Sequence, residues 1–132
     1  MSGEGGGRLI LIVEDNAKNL KLARDVLQFH GFRTVEAVSG EDALVVARDA
    51  HPDLVLMDVG LPGIDGVEAT RRLKSEALTA AIPVVALTAS VMAADRARFA
   101  EAGFAGFIPK PIDVLQFPAQ VLAYCGPRAE GA

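Results

Sequence analysis

Three short runs, Leu9–Val13 (LILIV), Leu54–Met57 (LVLM) and Pro83–Leu87 (PVVAL), are apolar at nearly every position and contain several β-branched residues. A strand with one face in water alternates apolar and polar side chains. An unbroken apolar run of this length, rich in β-branched residues, suits a strand buried on both faces, which is how parallel sheets are built. Double burial requires a layer on each side of the sheet, and only the segments between the runs can supply it. Arg33–Ala37 (RTVEA) mixes charged and apolar residues, as an edge strand does. Ala105–Ile108 is a short fifth candidate, preceded by Gly103.

The intervening segments carry helix punctuation. Ser39 stands three residues before Asp42, Asp65 before Glu68, and Asp113 before Gln116, the spacing of a capping box. Gly31 and Gly103 fall where a left-handed residue ends a helix, and Pro52 follows the second helical stretch. Most of the 22 alanines lie in these stretches, where alanine has the highest helix propensity. The pattern predicts five βα units, with helices near 16–30, 39–50, 65–76, 90–102 and 114–124. Repeated βα units give an α/β fold with a doubly wound parallel sheet, right-handed crossovers and helices on both faces. Pro118 lacks an N–H, so the last helix either begins irregularly or starts at that residue. Residues 1–7 (MSGEGGG) read as a disordered leader, 8–125 as one domain and 126–132 as a flexible tail.

Composition narrows the function. With 51% hydrophobic residues and a net charge of −4 the chain is not intrinsically disordered, and no apolar run approaches a membrane span. No charged start followed by an apolar segment marks export. A pI near 5.1 argues against nucleic-acid binding, which needs surplus Lys and Arg. The single cysteine, Cys125, forms no internal disulfide and suits a reducing compartment, so the expected location is cytoplasmic.

In doubly wound sheets ligands bind beyond the carboxyl ends of the strands. Glu14 and Asp15 follow the first run, Asp58 the third strand, Thr88 the fourth, and Lys110-Pro111 the fifth. Three carboxylates converging there carry charge −3 against one lysine, and such crowding is relieved by protonation or by a cation. A hard divalent ion such as Mg²⁺ fits oxygen donors and balances the charge.

These residues carry a resemblance. Val13-Glu14-Asp15-Asn16, the strand end Leu54–Asp58, Leu61-Pro62-Gly63, Leu87-Thr88-Ala89 and Ile108-Pro109-Lys110-Pro111 occur in order, with 30 residues from Asp58 to Thr88 and 52 to Lys110. Over about residues 8–124 the chain resembles the CheY-like receiver domain of two-component response regulators. Within that family it is similar to single-domain regulators of the cell-cycle type and to receivers of hybrid histidine kinases. The resemblance implies a flavodoxin-like sheet of five strands in order 2-1-3-4-5, flanked by five helices. It implies Asp58 as phosphoacceptor, with Lys110 and the Thr88 hydroxyl contacting the phosphoryl group. Mg²⁺ would be held by Asp15, Asp58 and the Gly60 carbonyl, and by Glu14 through water. Thr88 and Phe107 would form the switch, with Ala89 leaving the acceptor accessible and Val91 and Met92 on the changed face. The Lys110-Pro111 bond is expected to be cis.

The implied partners are a histidine kinase or histidine phosphotransfer protein as donor, and a downstream protein at the face of helix four, strand five and helix five. Neither nucleic acid nor membrane is expected, and the chain would be a monomer or weak dimer. Because only seven residues follow Cys125, it reads as a stand-alone regulator rather than an enzyme; a receiver excised from a larger kinase is the alternative. A phosphohydrolase with an aspartyl nucleophile would carry a second Asp at position 60, which is Gly60. A flavin-binding module would not place Glu14 and Asp15 in its phosphate loop. Gly60 also stands where the resembled family has a larger residue, and Phe107 lacks a hydroxyl. His30 and His51 sit at helix ends and share no metal-ligand spacing.

Overall fold

The computed structural model describes residues 5–61, 63–89 and 92–125. Residues 1–4 of the leader, Pro62, Val91 and the tail at 126–132 lie outside the described residues. In chain order the elements are β1 (Leu9–Val13), α1 (Ala17–Phe29), β2 (Arg33–Ala37), α2 (Gly40–Ala50), β3 (Leu54–Asp58), α3 (Gly66–Ser75), β4 (Val84–Thr88), α4 (Ala93–Ala102), β5 (Gly106–Pro109) and α5 (Phe117–Cys125). All strands are parallel, in order β2-β1-β3-β4-β5, as expected.

Alternation explains why the central runs are wholly apolar. Leu11, Val13, Val55, Met57, Val84 and Ala86 face one layer, where they pack with Ala43 and Ala47 of α2, Val67 and Leu73 of α3, and Phe99 of α4. Ile10, Ile12, Leu54, Leu56, Val85, Leu87 and Ile108 face the other, against Leu20 and Leu27 of α1 and Phe117 and Val121 of α5. Each strand residue thus meets a helix, whichever way it points. β2 has one strand neighbour, and Arg33 and Glu36 are exposed on it, as its mixed pattern asks.

Two of the three proposed capping boxes place the cap. Ser39 Oγ accepts from Asp42 N at 3.0 Å, and Asp65 Oδ1 from Glu68 N at 2.9 Å. The third does not. Asp113 Oδ1 accepts instead from Leu115 N at 3.0 Å, while the Asp113 carbonyl accepts from Gln116 N and Phe117 N. Residues 113–116 therefore close a turn, and α5 starts at Phe117 rather than 114. Pro118 then falls in the first turn, where its absent N–H costs no helical bond. Gly31 and Gly103 both take positive φ after their helices.

The expected leader needs a correction at its end. Gly5–Gly7 form a turn in which Gly5 N donates to the His30 carbonyl and Gly7 N to that of Gly31, each at 2.9 Å. Arg33 Nε donates to the Gly7 carbonyl at 2.7 Å. With no side chains to exclude it, this backbone lies directly on the α1–β2 connection.

Candidate functional site

Parallel strands bring their carboxyl ends to one edge, and that edge holds a cleft of about 470 Å³. Its lining includes Glu14, Asp15, Asp58, Gly60, Thr88, Ala89 and Lys110. Asp58 closes β3 and Thr88 closes β4, while Glu14 and Lys110 are the first residues beyond β1 and β5. Residues separated by up to 96 positions in the chain are assembled by strand order alone. The Lys110-Pro111 peptide is cis, as expected.

Lys110 links two carboxylates. Its Nζ lies 3.1 Å from Glu14 Oε1 and 3.4 Å from Asp58 Oδ1. Glu14 is only 2% exposed and Asp58 6%. Burial raises the Glu14 pKa above its usual 4.5; the Asn16 N–H opposes this, the Asp58 charge adds to it, and Lys110 opposes it. For Lys110 burial acts downward, but the bond to Glu14 and the charges of Asp58 and Glu14 prevail and hold its pKa above 10.5. The lysine is thus a firmly protonated cation among carboxylates that water screens poorly.

The donor set fits a divalent cation. One carboxylate oxygen from each of Glu14, Asp15 and Asp58 lies within 4.8 Å of the other two. Three hard oxygen donors and one lysine leave formal charge −2, which a divalent ion matches. The carboxylates are not equivalent. Glu14 spends Oε1 on Lys110 and accepts at Oε2 from Asn16 N at 3.1 Å, whereas Asp15 is exposed at the mouth of the cleft.

Position 60 is open. Gly60 N donates to Asp58 Oδ1 at 3.0 Å, and a β-carbon there would stand 3.6 Å from the same oxygen, in ordinary contact. Phe107 lies outside the cleft lining, on β5, half-buried against the layer that contains Phe99. The Tyr124 hydroxyl donates to its carbonyl at 3.5 Å. Met92 is exposed at the start of α4, and Ala89 borders the cleft. α4 begins at Ala93 and Met92 supplies no side-chain cap; residues 90 and 91 of the expected helix lie outside the described residues. His30 and His51 end α1 and α2, away from this edge.

Sequence reasoning passed over Asn16 and Asn19. Asn16 is the N-cap of α1, accepting from Asn19 N at 3.0 Å, while its own N–H fixes Glu14. An Asn immediately before a helical stretch was the available signal. Among the described residues no helix is long and apolar enough to cross a membrane.

Comparison with known proteins agrees with this geometry. The chain is 43% identical over 117 residues to the polar-differentiation response regulator DivK of Brucella ovis, covering 89% of this chain and 95% of that protein. The receiver domain of a Pseudomonas aeruginosa sensor histidine kinase, with a magnesium ion coordinated in its active-site cleft, superposes with TM-score 0.83 at 30% identity. It covers 92% of this chain and 99% of its own. The signal receiver domain of a histidine kinase from Syntrophus aciditrophicus gives TM-score 0.81 at 31% identity, covering 95% and 96%. Residues 10–121 match the response regulator receiver domain, and the chain belongs to that family.

Proposed function

We propose that the chain is a stand-alone response regulator that accepts a phosphoryl group on Asp58 and signals through protein–protein contacts. The observation that carries this is Asp58 Oδ1 at 3.4 Å from the Lys110 ammonium, in the cleft that Glu14, Asp15 and Thr88 share. The donor would be a phosphohistidine on a histidine kinase or phosphotransfer protein. An Asp58 carboxylate oxygen forms a bond to phosphorus as the bond from phosphorus to the donor's ring nitrogen breaks. The electron pair stays on that nitrogen, and an imidazole protonated at its other nitrogen leaves neutral. Lys110 stabilises negative charge on the transferring oxygens, and the Thr88 hydroxyl donates a hydrogen bond to one of them. Asp15, Asp58 and the Gly60 carbonyl are the proposed Mg²⁺ ligands. Glu14, with both oxygens committed, acts through solvent. When bound, the ion neutralises the carboxylates that would otherwise repel a phosphoryl group.

Surface features support protein partners. Leu22 on α1 is exposed beside the cleft, lining a hollow with Ala89 and Lys110, while Phe29 at 76% and Leu115 at 89% form a second exposed apolar group around His30 at the other end of α1. Grouped apolar side chains of this size mark contact surfaces. A protein donor seated over Leu22 would present its histidine to Asp58. The downstream partner is assigned to the face of α4, β5 and α5, because α4 buries only Phe99 and Ala102 of its ten residues and so is free to shift. Phe107 is the proposed reporter of Thr88 movement on that face. The working unit is residues 8–125, in the cytoplasm. Incubation with acetyl phosphate and Mg²⁺ should add one phosphoryl mass to the wild type and none to Asp58→Asn, with both folded by circular dichroism. Equal labelling of the two would refute Asp58 as acceptor.

A further inference from the structure

The loop that follows Asp58 is pressed from two directions by residues that lack a side chain. Gly66, the first residue of α3, lies against the Asp58–Val59 peptide. A β-carbon built on it would overlap the Asp58 carbonyl oxygen and stand 2.9 Å from Val59 Cα and 3.0 Å from the Asp58 carbonyl carbon. Gly40, the first residue of α2, lies against Ile64. A β-carbon there would be 2.6 Å from Ile64 Cγ1 and 2.8 Å from the Ile64 carbonyl oxygen. Real β-carbons do not occupy such positions, and four of these five atoms are backbone, which does not swing aside like the end of a side chain.

The intervening residues are tied to the same supports. Asp65 caps α3 through Glu68 N at 2.9 Å, and Gly60 N holds Asp58 Oδ1 at 3.0 Å. The peptide that carries the acceptor is therefore seated on α3, and the far end of its loop on α2.

We infer that Gly66 and Gly40 are positioning residues for the cleft: by admitting close backbone contact they fix where the Asp58 carboxylate and the Gly60 carbonyl stand. This rests on the reading of Asp58 as phosphoacceptor and adds to it two residues that touch neither substrate nor metal. Gly66→Ala forces the Asp58–Val59 peptide to move. Displacements well under 1 Å at a reacting group slow chemistry by roughly tenfold or more.

The control is Gly5→Ala, where a β-carbon would meet Phe32 N at 2.6 Å and the Gly31 carbonyl carbon at 2.7 Å, at the opposite end of the sheet. It imposes comparable crowding on backbone atoms without reaching the cleft. Phosphorylation rates with acetyl phosphate and Mg²⁺ affinity by calorimetry are measured on folded wild type, Gly66→Ala, Gly40→Ala and Gly5→Ala. We expect Gly66→Ala to be phosphorylated about tenfold more slowly and to bind Mg²⁺ several-fold more weakly, Gly40→Ala to follow it in weaker degree, and Gly5→Ala to match wild type. Gly66→Ala within twofold of wild type in both measurements overturns the inference, as does an equal loss in Gly5→Ala. Should Gly66→Ala not fold, Gly40→Ala decides by the same criteria. A wild type that takes no phosphoryl group refutes the acceptor assignment, and Mg²⁺ affinity alone then decides the positioning role.

Discussion

Replacing Lys110 with methionine keeps most of the side-chain volume and removes one charge, so it isolates what the ammonium does for the cleft. At an effective dielectric near 20, charges 3.1 and 3.4 Å apart attract by about 5 kcal/mol each, before desolvation is subtracted. Removing one partner of a buried pair costs about 3–5 kcal/mol, because the other is left uncompensated. Lys110 keeps 21% of its side-chain surface in water, so a loss of about 2–3 kcal/mol is expected in EDTA at neutral pH. Magnesium should reverse part of it. The variant presents the same three carboxylates without a competing cation, so its Mg²⁺ affinity should rise roughly tenfold, returning about 1.4 kcal/mol at saturation. Acid should also narrow the deficit. The Glu14 pKa is raised in the folded protein, so its contribution is fully present below 4.5 and is lost as pH rises through the folded value. Lys110, raised above 10.5, supplies wild-type stability that is complete below 10.5 and fades as pH climbs past its folded pKa. Urea unfolding in EDTA and in Mg²⁺, with titration calorimetry, measures all of this. Coincident EDTA curves for variant and wild type, or weaker Mg²⁺ binding by the variant, would refute the electrostatic account.

The two neighbouring acids should differ: Asp15→Asn should weaken Mg²⁺ binding more than Glu14→Gln, since both Glu14 oxygens are engaged, and equal losses by calorimetry would reverse that ranking. Thr88→Ala should still accept phosphoryl yet respond poorly; wild-type amide shifts around Phe107 on phosphorylation of this variant would break the proposed coupling. Cys125, half-buried with its thiol pushed up to about 11, should alkylate at pH 8 about a hundredfold more slowly than a thiol of pKa 9.0, and a rate near that of the unfolded chain would contradict its burial. Phe117→Ala empties the contact between α5 and the sheet and should cost about 3–5 kcal/mol in urea unfolding.

Much of the fold was legible because its signals are local. LILIV, LVLM and PVVAL suit strands covered on both faces, and Ser39 and Asp65 cap their helices with oxygens supplied within three residues. The order of Glu14, Asp58, Thr88 and Lys110 along the chain located the cleft, since parallel strands must end on one edge. Where local patterns misled, a neighbour in space decided. Asp113 and Gln116 have the spacing of a cap, yet the turn before Phe117 takes the Asp113 carboxylate for Leu115. A Gly-rich start suggests disorder, yet Gly5–Gly7 find hydrogen bonds on the far side of α1. The resemblance gives two adjacent acids different roles, but not the burial that separates them. Only the packed protein buries Glu14 against a lysine 96 residues away and leaves Asp15 in water, and only it brings Gly66 and Gly40 against the backbone around Asp58 and Ile64. Contacts of that kind depend on atoms brought together by the whole sheet, and no window of neighbouring residues contains them.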